Sequence, residues 1–162
     1  MSFSPQSKVW IYQSDRPFSP TEALSIQKKL DIFTAQWKAH GHQLQAVATI
    51  YYDLFIVFKV DEAAASTTGC SIDASVRIVK EIELDHNLDM FNRFNMAYKI
   101  DDQIFISPRE DFETLISIGK VGPKTIVYNN LVQNLADFEN KWEVPFENSW
   151  HMKLFADLLP KA

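Results

Sequence analysis

The sequence predicts an α+β fold: a mainly antiparallel or mixed sheet covered by helices, in a single compact domain spanning residues 1–162. Three observations carry this prediction. Runs of strand length rich in β-branched and aromatic residues come as neighbours separated by short breaks, the pattern of hairpins and not of regular βαβα alternation. Amphipathic segments of helical period stand between them. The composition, 46% hydrophobic and 13% aromatic with only four glycines in 162 residues, suits one sizeable core with few flexible loops.

Lys8 to Gln13 is a strand-like run ended by the breaker-rich Ser14-Asp15-Arg16-Pro17. Ser19-Pro20-Thr21-Glu22 then combines a capping box with proline at the first helical position, and Ile26, Leu30, Phe33 and Trp37 recur at helical spacing until Gly41, the expected helix stop. Leu44–Tyr51 and Leu54–Val60 read as two strands broken near Asp53, without a glycine to mark the turn. A second helix is expected from about Ser71 to His86, burying Ile72, Val76, Val79 and Ile82 and turning Asp73, Arg77, Lys80 and Glu81 outward. Leu88 to Arg93 suggests a further helical turn.

Asn95–Ile100 and Gln103–Ser107 flank Asp101-Asp102, a two-residue break that suits a hairpin. Ser107-Pro108-Arg109-Glu110 repeats the first helix-start pattern, with Phe112, Leu115 and Ile116 as apolar face and Gly119 as terminator. The element orders around the two Ser-Pro-x-Glu segments differ, so no repeat is inferred. Thr125–Tyr128 returns as a strand, and Asn129 or Asn130 is expected to cap a helix whose Leu131, Leu135, Phe138 and Trp142 face the core. After Pro145, a last helix from Asn148 or Ser149 carries Trp150, Leu154 and Leu158 and stops at Pro160.

Composition also narrows the class of function. The formal charge is −5 and the basic residues are scattered, which disfavours a nucleic-acid partner. The longest apolar run, Ala46 to Val60, is short for a bilayer and carries Asp53 and Lys59, so no membrane insertion is expected. Met1 to Lys8 lacks the basic and apolar regions of a secretory signal, and a lone cysteine forms no internal disulfide. A cytoplasmic protein is expected, with residues 1–7 as a flexible tail.

The best candidate site is Ser66-Thr67-Thr68-Gly69-Cys70-Ser71-Ile72-Asp73. Unpaired N–H groups and the positive dipole end at a helix start favour an oxyanion, a phosphate or a thiolate. Thr67, Thr68, Gly69, Cys70, Ser71 and Asp73 are therefore the expected ligand-binding residues, with a helix cap as the plain alternative and Asp73 placed to pair with Arg77. Cys70 is the one candidate nucleophile or redox thiol, against the alternative of a small buried side chain. Asp61 and Glu62 end a strand just before this loop and are candidates for acid-base work.

Other groups carry weaker signals. His40 and His42 flank Gly41 without a third ligand nearby, so no metal is expected. His86, at the end of the second helix, lies about 20 Å of helix rise from Cys70, too far to act as its base. Gly119 to Thr125 has the wrong spacing for a Walker A loop, and Pro123 removes an N–H from any phosphate cradle. The C-terminal helix, with Trp150, His151, Met152 and Phe155, has an extra apolar face suited to a partner or a second copy.

Thr68-Gly69-Cys70-Ser71-Ile72-Asp73-Ala74-Ser75-Val76, with Val60-Asp61-Glu62 and Trp37-Lys38-Ala39-His40-Gly41, resembles a family of short, uncharacterised bacterial proteins, and the resemblance spans most of the chain. Members often carry the label "ABC transporter ATPase", which implies ATP binding. The sequence has no Walker A loop and no Leu-Ser-Gly-Gly-Gln signature, and Val57 to Glu62 imitates a Walker B strand without a P-loop to serve. The residues themselves point first to a non-catalytic domain that binds a small anionic ligand or a protein partner near residues 67–73. A thiol-dependent enzyme or redox protein using Cys70 is the second expectation, and a structural or interaction protein with a self-association surface rich in Trp150 and Phe155, as in a homo-oligomer, the third.

Overall fold

Side chains and backbone are described for residues 2–63 and 65–161 of a computed structural model. Two compact units are distinguished, Met1–Phe91 with Gln133–Ala136, and Asn92–Val132 with Asp137–Ala162. Each mixes helices with an antiparallel sheet, which is the predicted α+β class, and each has its own cluster of buried apolar side chains.

In the first unit, β1 (Lys8–Gln13) leads to α1 (Pro20–Gln36). The start of α1 follows its sequence: the Glu22 N–H donates to the Ser19 hydroxyl, the Glu22 carboxylate accepts from the Ser19 N–H, and Pro20 occupies the first turn. Its end does not. The helix stops at Gln36, and Gly41 instead serves a small hairpin of β2 (Lys38–Ala39) and β3 (His42–Gln43). His40 and Gly41 are its two turn residues, at φ 52° and 77°, the left-handed pair that a tight β-hairpin needs.

β4 (Gln45–Tyr51) and β5 (Phe55–Asp61) form the predicted hairpin, and the sheet order is β1-β5-β4. Its turn lacks glycine but is still left-handed, with Tyr52 and Asp53 both at φ 55°. The conformation is fixed from outside, because the Asp53 carbonyl accepts from the Phe18 N–H and the Leu54 carbonyl from the Ser14 N–H. Then α2 (Gly69–His86) packs on the same core. Its buried stripe is Ser71, Ser75, Val79 and Ile82, so the helix is rotated from the expected face and Ile72 and Val76 are only half-buried. Leu88 to Arg93 is irregular chain, not a helical turn, although Leu88 and Met90 are buried.

Residues 4–7, expected as a flexible tail, are hydrogen-bonded to the first unit. The Ser4 N–H donates to Asp61, and the carbonyls of Pro5 and Ser7 accept from Ala136 and Leu135.

In the second unit, β6 (Asn95–Ile100) and β7 (Gln103–Pro108) form the predicted hairpin over Asp101-Asp102, at φ 52° and 62°. α3 (Arg109–Ser117) buries Phe112 and Ile116, and β8 (Ile126–Tyr128) pairs with β6. The helix expected from Asn129 begins later, as α4 (Leu135–Lys141), which leaves Leu131 exposed. Gln133 and Asn134 are extended instead, because they bond the outer edge of β1. A strand unmarked in the sequence, β9 (Glu143–Pro145), completes the sheet order β7-β6-β8-β9. Finally, α5 (Trp150–Phe155) is shorter than expected and buries His151 and Phe155, not Leu154.

Candidate functional site

The loop before α2 is organised first as a cap. Thr68 is the N-cap: its hydroxyl accepts from the Ser71 N–H at 3.2 Å, and the Thr68 N–H donates to the Ser71 hydroxyl at 2.7 Å. The Ser71 hydroxyl in turn donates to the Thr68 carbonyl. These two hydroxyls therefore satisfy the helix start, and the cap reading of the segment is the one its geometry follows.

Thr67 is turned elsewhere. Its N–H and hydroxyl both donate to Glu62, at 2.7 and 3.0 Å, and Lys8 lies 3.3 Å from the same carboxylate. Burial alone would raise the Glu62 pKa, but the Thr67 hydrogen bonds and Lys8 outweigh it and hold the carboxyl below its ordinary value. Glu62 thus acts as an internal anion for Thr67. Asp61 is buried and accepts from the N–H groups of Ser4 and Ala63. Both carboxylates are engaged in shaping the chain, which opposes their use in acid-base chemistry at Cys70.

Gly69, Cys70 and Ser71 line one wall of an open cleft of about 520 Å³, together with Thr68 and Ala74. Phe33, Gln36, Trp37, Lys38 and His40 line it from the end of α1 and the β2–β3 hairpin. Trp37 fixes the two walls to each other: its ring N–H donates to the Ser71 carbonyl at 2.9 Å, and its ring packs on Phe33 with centroids 5.1 Å apart. The Cys70 thiol is exposed, so the buried-packing alternative does not apply to it. The cleft lining combines two aromatic residues, a lysine, a histidine and the start of α2, where the Gly69 and Cys70 N–H groups stand at positions for which a helix has no internal acceptors.

Of the predicted binding residues, Thr68, Gly69, Cys70 and Ser71 reach this cleft, whereas Thr67 and Asp73 are not part of its lining. Asp73 is exposed on α2, and no ion pair joins it to Arg77 among the described residues. Lys38 and the aromatic pair are the residues that sequence reasoning missed. The signal available was Trp37 to Gly41, whose two histidines around a glycine mark a turn.

The remaining candidates have structural places. His40 lies in the hairpin turn and His42 opens β3, and among the described residues no group of three or more His, Cys, Asp or Glu is set to hold a metal ion. His86 ends α2, with its ring nitrogen 3.8 Å from Glu22. The Gly119 to Thr125 segment closes on itself as a turn, the Gly122 N–H donating to the Thr125 hydroxyl, and runs into β8. Phe155 is buried in the core of the second unit, so it offers no surface for self-association.

No family model, curated protein or solved structure matches the chain. Among the described residues, no helix is long and apolar enough to cross a membrane.

Proposed function

We propose that this chain is a non-catalytic binding protein whose cleft in the first unit takes a small ligand with an anionic group and an apolar body. One observation carries the reading: the first turn of α2, Lys38, His40 and the rings of Phe33 and Trp37 line one and the same cleft. The lysine and the N–H groups of the helix start supply positive potential for the anion, and the rings supply apolar contact area. The serine and threonine hydroxyls contribute by fixing the helix start and not by direct contact, since they are already paired.

Cys70 provides the assay, because it is the sole cysteine and lines the cleft. Inorganic phosphate and benzoate, used as probes of the two halves of the ligand, are expected to slow alkylation of Cys70, and Lys38→Ala is expected to remove the phosphate effect. Alkylation that ignores both probes, or protection by phosphate that persists in Lys38→Ala, would overturn the assignment. The exposure of Cys70 in a cleft that His40 also lines favours a second reading, thiol chemistry at the same place. Alkylation faster in the native protein than in the unfolded chain supports that reading, and slower alkylation opposes it.

A further inference from the structure

The C-terminal end of the second unit is held there by side chains alone. Up to Glu147 the backbone is laced to the chain that leads into β8: the Phe146 N–H donates to the Thr125 carbonyl and the Glu147 N–H to the Pro123 carbonyl. From Ser149 onward it is not. The N–H groups of Ser149, Met152, Ala156 and Leu159 donate to the carbonyls of Phe146, Ser149, Met152 and Ala156, all within the segment or at its root. Among the described residues, no ion pair or side-chain hydrogen bond ties residues 149–159 to the rest of the unit.

What docks this segment is the burial of two rings. His151 and Phe155, each 1% exposed, sit against Phe112 with centroids 6.0 and 5.4 Å away, and Phe146 closes on His151 at 6.2 Å. Trp150 stacks on the imidazole at 3.8 Å. Such a cage suits a neutral ring only. The one partner of Nδ1 is the Ser149 hydroxyl, inside the same segment.

No counter-ion stands ready for a charged ring. On α3, Arg109 and Glu113 pair with each other, the guanidinium lying over the Phe155 ring, and Glu110 and Asp111 are exposed. Behind Phe112, the Tyr98 phenol is bound to Ser107. Glu147, in the turn Phe146–Asn148, pairs with Lys124, and Lys153 and Asp157 of the segment itself are exposed. Burial alone therefore sets the His151 pKa, at about 4. The docked state carries a second weakness, because the Trp150 ring N–H is buried without an acceptor and regains one in water on release.

We propose that residues 149–159 form an acid-released strap: protonation of His151 frees the segment as one piece from the core of the second unit, while the sheet it covers stays folded. Release uncovers Phe112, Ile116, Val121 and Phe146, all fully buried when the strap is docked. The sign follows from the imidazole. The free strap takes up a proton below about 6.5 that the docked strap refuses until about 4, so docking weakens as the pH falls through that window.

The test is pulsed hydrogen–deuterium exchange of the full chain, read by mass spectrometry and corrected for the intrinsic rate at each pH. Protection of residues 149–159 is expected to fall by roughly 30-fold between pH 6.5 and 4.5, while that of β6 stays constant. In His151→Phe the strap's protection is expected to be independent of pH. Should that variant fail to fold, the wild-type chain decides, since the ring resonances of His151 are expected to titrate along with the exchange. Equal loss of protection in the strap and in β6 would mean that the protein opens only as a whole, and overturns the proposal. So does a strap whose protection ignores pH, a His151→Phe profile that matches the wild type, or an imidazole that titrates apart from the exchange.

Discussion

The chain writes Ser-Pro-x-Glu twice, and the two copies end up doing different work. At Ser19 to Glu22 the motif is a closed capping box, in which Glu22 also receives both guanidinium nitrogens of Arg16. At Ser107 to Glu110 no side chain caps the helix: Pro108 is the N-cap, Ser107 still belongs to β7, and its hydroxyl lies 2.6 Å from the buried Tyr98 hydroxyl. The difference lies upstream. Ser19 follows an irregular segment and is free to turn its side chain into the helix, whereas Ser107 is held in a ladder opposite Met96 and has a phenol within reach. A local motif therefore specifies a cap only where no strand has prior claim on its first residue.

What holds α3 instead is packing from the other side. Phe112 is fully buried, with ring centroids 5.5 Å from Tyr98, 5.4 Å from Phe155 and 6.0 Å from the ring of His151. His151 is itself enclosed by Phe146 and Trp150, and its Nδ1 is 2.8 Å from the Ser149 hydroxyl. Burial pushes the His151 pKa from 6.5 down to about 4. Between those values the unfolded chain binds a proton that the folded chain refuses. Stability is therefore complete above 6.5 and falls as the pH drops toward 4, by about 3 kcal/mol in all. This is the largest effect expected. Urea unfolding followed by tryptophan fluorescence should show a loss over that window that His151→Phe lacks, and parallel pH profiles would contradict this account of how α3 is held.

Breaking the first copy of the motif has a smaller effect, because a cap is worth less than a core contact. Ser19→Ala should destabilise the protein by about 1 kcal/mol. The pH dependence has the same direction but a lower window. Hydrogen bonds from Arg16 and from the Ser19 N–H hold the Glu22 carboxyl at about 2, from 4.5, so its contribution is full above 4.5 and is lost as the pH falls toward 2. Thermal unfolding of Ser19→Ala at neutral pH checks the first statement; an unchanged midpoint would mean that packing, and not the cap, also holds α1.

The same contrast explains what could be read in the sequence. The capping box of α1, the hairpin over Asp101-Asp102 and most strands are local, and they stand where the sequence puts them. The α2 face is misread because two of its buried positions are serines. The Ser75 hydroxyl turns back onto the Ile72 carbonyl at 2.6 Å, and the Ser71 carbonyl takes the Trp37 ring N–H, so neither residue needs to be apolar to be buried. In the cleft, the α2 wall was legible as a helix start. Its opposite wall was not, since Lys38 and His40 are placed by a hairpin of two-residue strands, too short to leave a periodic signal. The β9 strand is hidden for the same reason.

The smallest effect belongs to the second glutamate of the pair. Glu110 stands where Glu22 stands in the first motif, but with Pro108 as N-cap there is no N–H for it to bond in return. It keeps only its interaction with the helix dipole, shared with Asp111 in the same turn. Glu110→Gln should thus shift stability by no more than about 0.5 kcal/mol, and the shift should shrink in high salt, since an exposed charge near a dipole is screened. A loss as large as that of Ser19→Ala, and insensitive to salt, would mean that Glu110 closes a box in solution after all, and that the strand does not keep Ser107 from the helix.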